Sequence, residues 1–137
     1  MGSTKSITLD ARSECLEYVV DFIETELNAI ACPVDTQMQI ELAVEELFVN
    51  ISNYAYKGQP GKVTIYFTHP NKNMVSITLL DNGVPFNPLE QKDPDVFQPL
   101  EERNPGGLGI FLVKRTMDDV LYYYDGISNT LTISKAW

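Results

Sequence analysis

Three stretches of this 137-residue chain combine residue types that can do chemistry. In ELAVEELFVNISNYAY, Glu46 and Asn50 stand one helical turn apart, so a carboxylate and an amide can face one pocket and share a cation or a water. The plainer reading is a hydrated acidic face, because Glu41, Glu45 and Glu46 all occur here. Asn50 and Asn53 weigh against it: asparagine competes for backbone hydrogen bonds and gains little inside a helix. In LLDNGVPF an apolar strand ends at Asp81, whose carboxylate can accept hydrogen bonds from a ligand amino group, and Gly83 permits close backbone approach. An ordinary Asp-Asn-Gly turn is the alternative. In NPGGLGIFLV, Gly106, Gly107 and Gly109 can expose backbone amides just before a helix, and amides at a positive helix end suit a polyphosphate. The spacing is neither GxGxxG nor GxxxxGK[ST], and a glycine-rich helix cap is the alternative here.

The elements that must carry these residues follow from hydrophobic periodicity. Leu16, Val19, Val20, Ile23 and Leu27 recur at three and four residues, which predicts a helix from Ser13 to Leu27 with acids opposite its buried stripe. Pro33 and Asp35 mark a second helix start, with the Asp35 carboxylate expected to accept a first-turn amide, and Ile40, Ala43, Val44, Leu47 and Ile51 carry that helix to about Ala55. Gly58, Pro60 and Gly61 then switch the period to two. Val63, Ile65 and Phe67 form one strand and Val75, Ile77 and Leu79 its antiparallel neighbour, across a turn at 69–73 in which His69 reads as a solvent-side residue. A long proline-rich connection runs from Asp81 to Pro105, a length that suggests a binding loop or an active-site cover. Past the glycines, Ile110, Val113 and Met117 predict a short helix, with Lys114 and Arg115 as ordinary exposed cations. Strands at 120–124 and around Leu131 and Ile133 then close a hairpin through Asp125-Gly126 and Ser128-Asn129. Helices first and strands later, with a helix between hairpins, predict an α/β two-layer sandwich with a mostly antiparallel sheet.

Composition bounds the function classes. A length of 137 residues suits a single domain over 1–137, and 44% apolar residues support a real core. With 19 acids against 10 bases the net charge is -9, which disfavours direct binding of nucleic acid or of an anionic membrane surface. Cys15 and Cys32 show neither a disulfide framework nor zinc spacing, and both are expected to stay reduced. No apolar run approaches the roughly 20 residues that cross a bilayer, so a cytoplasmic location is expected.

Taken in order, EELFVN, DNGVPF and NPGGLGIFLVKRTMDDV resemble the GHKL (histidine kinase-like) ATPase superfamily, most closely its bacterial anti-sigma factor serine-protein kinases. The resemblance covers nearly the whole chain. It implies the histidine kinase-like ATPase (Bergerat) fold, ATP and Mg2+ as cofactors, and a nucleotide-lid region at about 86–106. It also implies Glu46 as the carboxylate that activates the attacking hydroxyl, Asn50 as the magnesium ligand and Asp81 as the adenine-reading residue. Gly83 would shape the base pocket, and Gly106, Gly107 and Gly109 would be the lid glycines passing the phosphates. Tyr54 departs from the pattern, since many relatives have histidine four residues after the metal-binding asparagine.

The expected activity is that of an ATP-dependent serine-protein kinase and anti-sigma factor in a partner-switching system, transferring the γ-phosphate to a small anti-sigma antagonist protein. The alternative is an ATP-binding regulatory or protein-interaction module with little or no kinase activity. A sigma factor is the second partner considered, and a homodimer is implied by the resemblance alone. Trp137 and Tyr122 to Tyr124 read as core or sheet-face aromatics.

Overall fold

The computed structural model describes residues 4–90 and 107–137. Its strands β1 (Lys5–Asp10), β2 (Lys62–Asn71), β3 (Met74–Asp81), β4 (Asp119–Tyr124) and β5 (Asn129–Ala136) form one sheet in the order β1-β2-β3-β5-β4. All four pairings are antiparallel. Helices α1 (Leu16–Ala29), α2 (Val34–Asn50) and α3 (Gly107–Thr116) make the second layer. The two-layer α/β expectation holds.

The sheet's period of two sets the division between layers. Val63, Ile65, Phe67, Val75, Ile77, Leu79, Leu131 and Ile133 all point inward and are buried. Val19, Ile23 and Leu27 of α1, Ile40, Val44, Leu47 and Phe48 of α2, and Ile110 and Val113 of α3 meet them at helical spacing. The opposite sheet face carries paired hydroxyls, with Thr8 bonded to Thr64 and Thr78 to Thr132, each at 2.9 Å.

Several local expectations are corrected. A strand, β1, precedes the helices; only Ile7 and Leu9 are apolar in it, and it gains its place by setting them opposite Ile65 and Val63 of a strand more than fifty residues away. Asp35 caps no amide, because the cap position is Pro33 and Asp35 already lies in the first turn. There its charge still opposes the positive helix end. The second helix reaches Ala55 as expected, but its last stretch, Ile51–Ala55, is a π-helical turn, a wider form that often accompanies functional sites. The β2–β3 turn is tighter than 69–73: His69 lies within β2, its Nδ1 bonded to Met74 O at 2.8 Å and its ring stacked on Trp137. Both cysteines are buried free thiols. Among the described residues no helix is long and apolar enough to cross a membrane.

Candidate functional site

Asp81 ends β3 on its inward face and is only 4% exposed. Register puts it opposite Asn129, the first residue of β5, which is 5% exposed. Asp81 Oδ1 accepts from Asn129 Nδ2 at 3.0 Å and from Gly83 N at 2.8 Å, while neither bond uses Oδ2. Burial pushes this carboxyl above the usual aspartate range, and the hydrogen bonds from Asn129 and Gly83 pull it part of the way back. The turn after Asp81 is pinned to the π-turn by Val84 N donating to Ala55 O at 2.8 Å. Gly83 is required there, because a Cβ would stand 2.2 Å from that carbonyl oxygen.

Asp81 and Asn129 share a recess with Asn50, Leu47, Ala55 and Leu131, which Val84, Phe86 and Pro88 also line. Its volume of about 30 Å³ is close to one water's share of the liquid and far below the roughly 300 Å³ at which small-molecule sites begin. Two walls belong to α2 and the sheet, which regular hydrogen bonding holds. Tyr54, the departure noted in the sequence, has its ring 5.9 Å from that of Phe86.

One side of α2 serves the recess and an adjacent groove. Asn50 is 7% exposed, and its Nδ2 donates to Glu46 O at 2.9 Å, which commits the amide nitrogen and leaves Oδ1 as an acceptor without a donor among the described residues. An amide oxygen is a suitable hard ligand for Mg2+, which commonly takes one or two protein oxygens and completes its shell with phosphates and water. The residues present therefore fit the ion. Of the two asparagines, Asn53 is the one on the surface, lining an open polar cleft with Asp10, Arg12 and Gln59 that shares no residue with the recess. Glu46 is half-buried and points toward α3, lining a groove of about 130 Å³ with Leu42, Gly109, Leu112 and Thr116. A Cβ on Gly109 would fall 1.9 Å from Glu46 Oε2, so the carboxylate occupies the space this glycine leaves in the first turn of α3.

The structure thus brings Asn50 and Asp81 to one recess, holds Gly83 against Asp81 through its backbone N–H, and sets Glu46 and Gly109 together on the neighbouring groove. Gly107 begins α3, and Gly106 lies outside the described residues, as does most of the region expected to form the lid at 86–106. Asn129 was not among the residues the motifs single out, since Ser128-Asn129 reads as turn. Its signal is an asparagine followed directly by the alternating Thr130, Leu131, Thr132 and Ile133 of a strand, where the residue is normally depleted.

The sequence model of the histidine kinase-like ATPase domain family matches residues 9–135. Among curated relatives, the serine-protein kinase RsbW of Listeria monocytogenes serovar 1/2a is 36% identical over 100 residues, covering 68% of this chain and 62% of the relative. The protein of the same name from Bacillus mycoides is 31% identical over 102 residues, covering 72% and 63%. The chain therefore spans a little under two thirds of the length of the curated relatives it matches. A crystal structure of the RsbU and RsbW domains of Rv1364c from Mycobacterium tuberculosis superposes with a TM-score of 0.68 over 98% of this chain and 32% of that one. At 14% identity this likeness is one of fold.

Proposed function

The chain belongs to the histidine kinase-like ATPase domain family, and from that premise we propose that it is an ATP- and magnesium-dependent serine-protein kinase. Its substrate would be a serine of a small anti-sigma antagonist protein, and as an anti-sigma factor it would also hold a sigma factor, in the cytoplasm. We take residues 1–137 as one nucleotide-binding domain with its lid at about 86–106 and with a homodimer as its assembled form. The observation that carries the reading is the pairing of a buried carboxylate, Asp81, with the Asn50 amide across one recess, with the Glu46 carboxylate one helical turn from Asn50 on α2.

The roles follow from chemistry. Asp81 accepts the exocyclic amino group of adenine. Asn50 Oδ1 holds the metal, which when bound neutralises charge on the phosphate oxygens. The amides of Gly107 and Gly109 in the first turn of α3, with Gly106 just before them in sequence, would serve the phosphates, and the positive helix end gives a chain of charge -9 one locally favourable anion position. Glu46 aligns the serine hydroxyl and takes its proton as the oxygen attacks phosphorus.

The test is transfer from labelled ATP to a small anti-sigma antagonist protein, with and without magnesium. Glu46→Gln should lower labelling by about 10²- to 10⁴-fold, the usual worth of a positioned base, while stabilisation of the protein by ATP is retained. Labelling that Glu46→Gln leaves unchanged would remove Glu46 as the base. Tight ATP binding with no transfer to the partner would leave a nucleotide-binding regulatory module instead.

A further inference from the structure

Asn129 sits between donors on one side and acceptors on the other. Its Oδ1 receives the backbone N–H of Phe86 at 3.2 Å and the hydroxyl of Tyr122. Its Nδ2 faces only acceptors, Asp81 Oδ1 at 3.0 Å, Val84 O at 2.9 Å and Gly83 O at 3.4 Å. A flipped amide would set NH₂ against the Phe86 N–H and a carbonyl oxygen against a carboxylate, so only one orientation satisfies the site. Burial pushes the Tyr122 hydroxyl above the usual tyrosine range, which keeps it a donor.

We propose that Tyr122 and Asn129 act as a polarity lock that holds Asp81 as a charged acceptor with Oδ2 turned to the ligand, and so set the purine selectivity of the pocket. They are positioning residues and touch no reacting atom. The inference rests on the ATP reading of the recess and deepens it. With Oδ1 saturated by Asn129 and Gly83, Oδ2 offers lone pairs alone. A base edge with an amino group is accepted, whereas one with a carbonyl, as in hypoxanthine, meets oxygen against oxygen. A site built to hydrogen-bond one group rejects the analogue lacking it because its own buried atoms are left unpaired. Without the lock, Asp81 loses the Asn129 donor that fixes its Oδ1, the carboxyl can turn, and the base edge no longer meets an acceptor held in one direction.

The experiment compares binding of ATP and inosine triphosphate, with magnesium, to the full chain and to Asn129→Leu and Tyr122→Phe. The wild type should favour ATP by about 10²-fold, in line with one hydrogen bond to a charged group. Asn129→Leu should bring the ratio below about ten-fold, and Tyr122→Phe, which leaves the Phe86 donor in place, to an intermediate value. A structural role alone would weaken both nucleotides equally and leave the ratio unmoved, and that result overturns the proposal. If Asn129→Leu does not fold, the half-buried Tyr122→Phe decides alone: a wild-type ratio there overturns the lock and a reduced one supports it. A wild type that binds ATP and inosine triphosphate equally overturns the lock while leaving the nucleotide reading intact. A wild type that binds neither overturns both.

Discussion

The two ends of the site each depend on a glycine that faces a different kind of neighbour. At the end proposed for the base, the space a Gly83 side chain would need is filled by backbone, the Ala55 carbonyl at 2.2 Å. At the end proposed for the phosphates, the space beside Gly109 is filled by the tip of a side chain, Glu46 Oε2 at 1.9 Å. Backbone within a π-turn bonded to Val84 cannot retreat. A glutamate carboxylate can rotate away at little cost to the fold. Similar crowding therefore stabilises the architecture at one end and positions a functional group at the other.

Replacing each glycine by alanine separates the two cases. Gly83→Ala should cause the larger loss, at or beyond the top of the ~1–3 kcal/mol range of overpacked sites, because the strain must move the 81–84 turn or the end of α2. Thermal unfolding should show a drop of many degrees, and ATP-induced stabilisation should vanish with it. A Gly83→Ala protein as stable as the wild type would mean that the turn is not tied to the π-turn. Gly109→Ala should come next. Thermal unfolding should hardly change, while phosphate transfer should fall by about 10²-fold, the order expected when a catalytic group is displaced by an ångström. Loss of stability with intact transfer would reverse the assignment and make Gly109 an architectural residue like Gly83.

What the sequence disclosed divides along the same line. α1, α2, β2 and β3 were legible because each repeats its own period over enough residues, and the Glu46-Asn50 spacing was legible because it is local to one helix. β1 was not, since two apolar residues make no pattern until β2 pairs with them. Asn129 reads as a turn residue for the same reason: its meaning comes from register, which sets it opposite Asp81 across β3 and β5. Gly83 was read as allowing close backbone approach, and it does. Gly109 was read as an amide donor to phosphate, and nothing in the one-dimensional spacing revealed that its missing side chain makes room for Glu46. The π-turn was likewise hidden, because a helix one hydrogen bond wider keeps nearly the same apolar pattern.

Asp81→Asn has the smallest effect on the fold and the clearest sign. The Asn Oδ1 can keep both bonds that Asp81 Oδ1 accepts, from Gly83 N and Asn129 Nδ2, and its amide nitrogen takes the place of Oδ2. What is removed is a buried negative charge. Burial raises the folded pKa of Asp81 above its unfolded value, so the folded state binds the extra proton in the window between the two. Stability from this group is therefore greatest below the unfolded value of about 3.8 and declines as pH rises through the raised folded value. Above that window the ionised carboxylate works against folding, and its neutral amide counterpart should raise the melting temperature of the nucleotide-free protein by a small amount. The gain should shrink as pH is lowered through that window. The same substitution puts a donor where adenine presents one, so the ATP-induced shift in melting temperature should be lost. A nucleotide-free melting temperature that falls on substitution, with the ATP shift preserved, would make Asp81 a structural turn residue and move base recognition elsewhere in the recess. A rise in the free protein joined to loss of the ATP shift is the pattern of a residue kept charged for its ligand at the fold's expense.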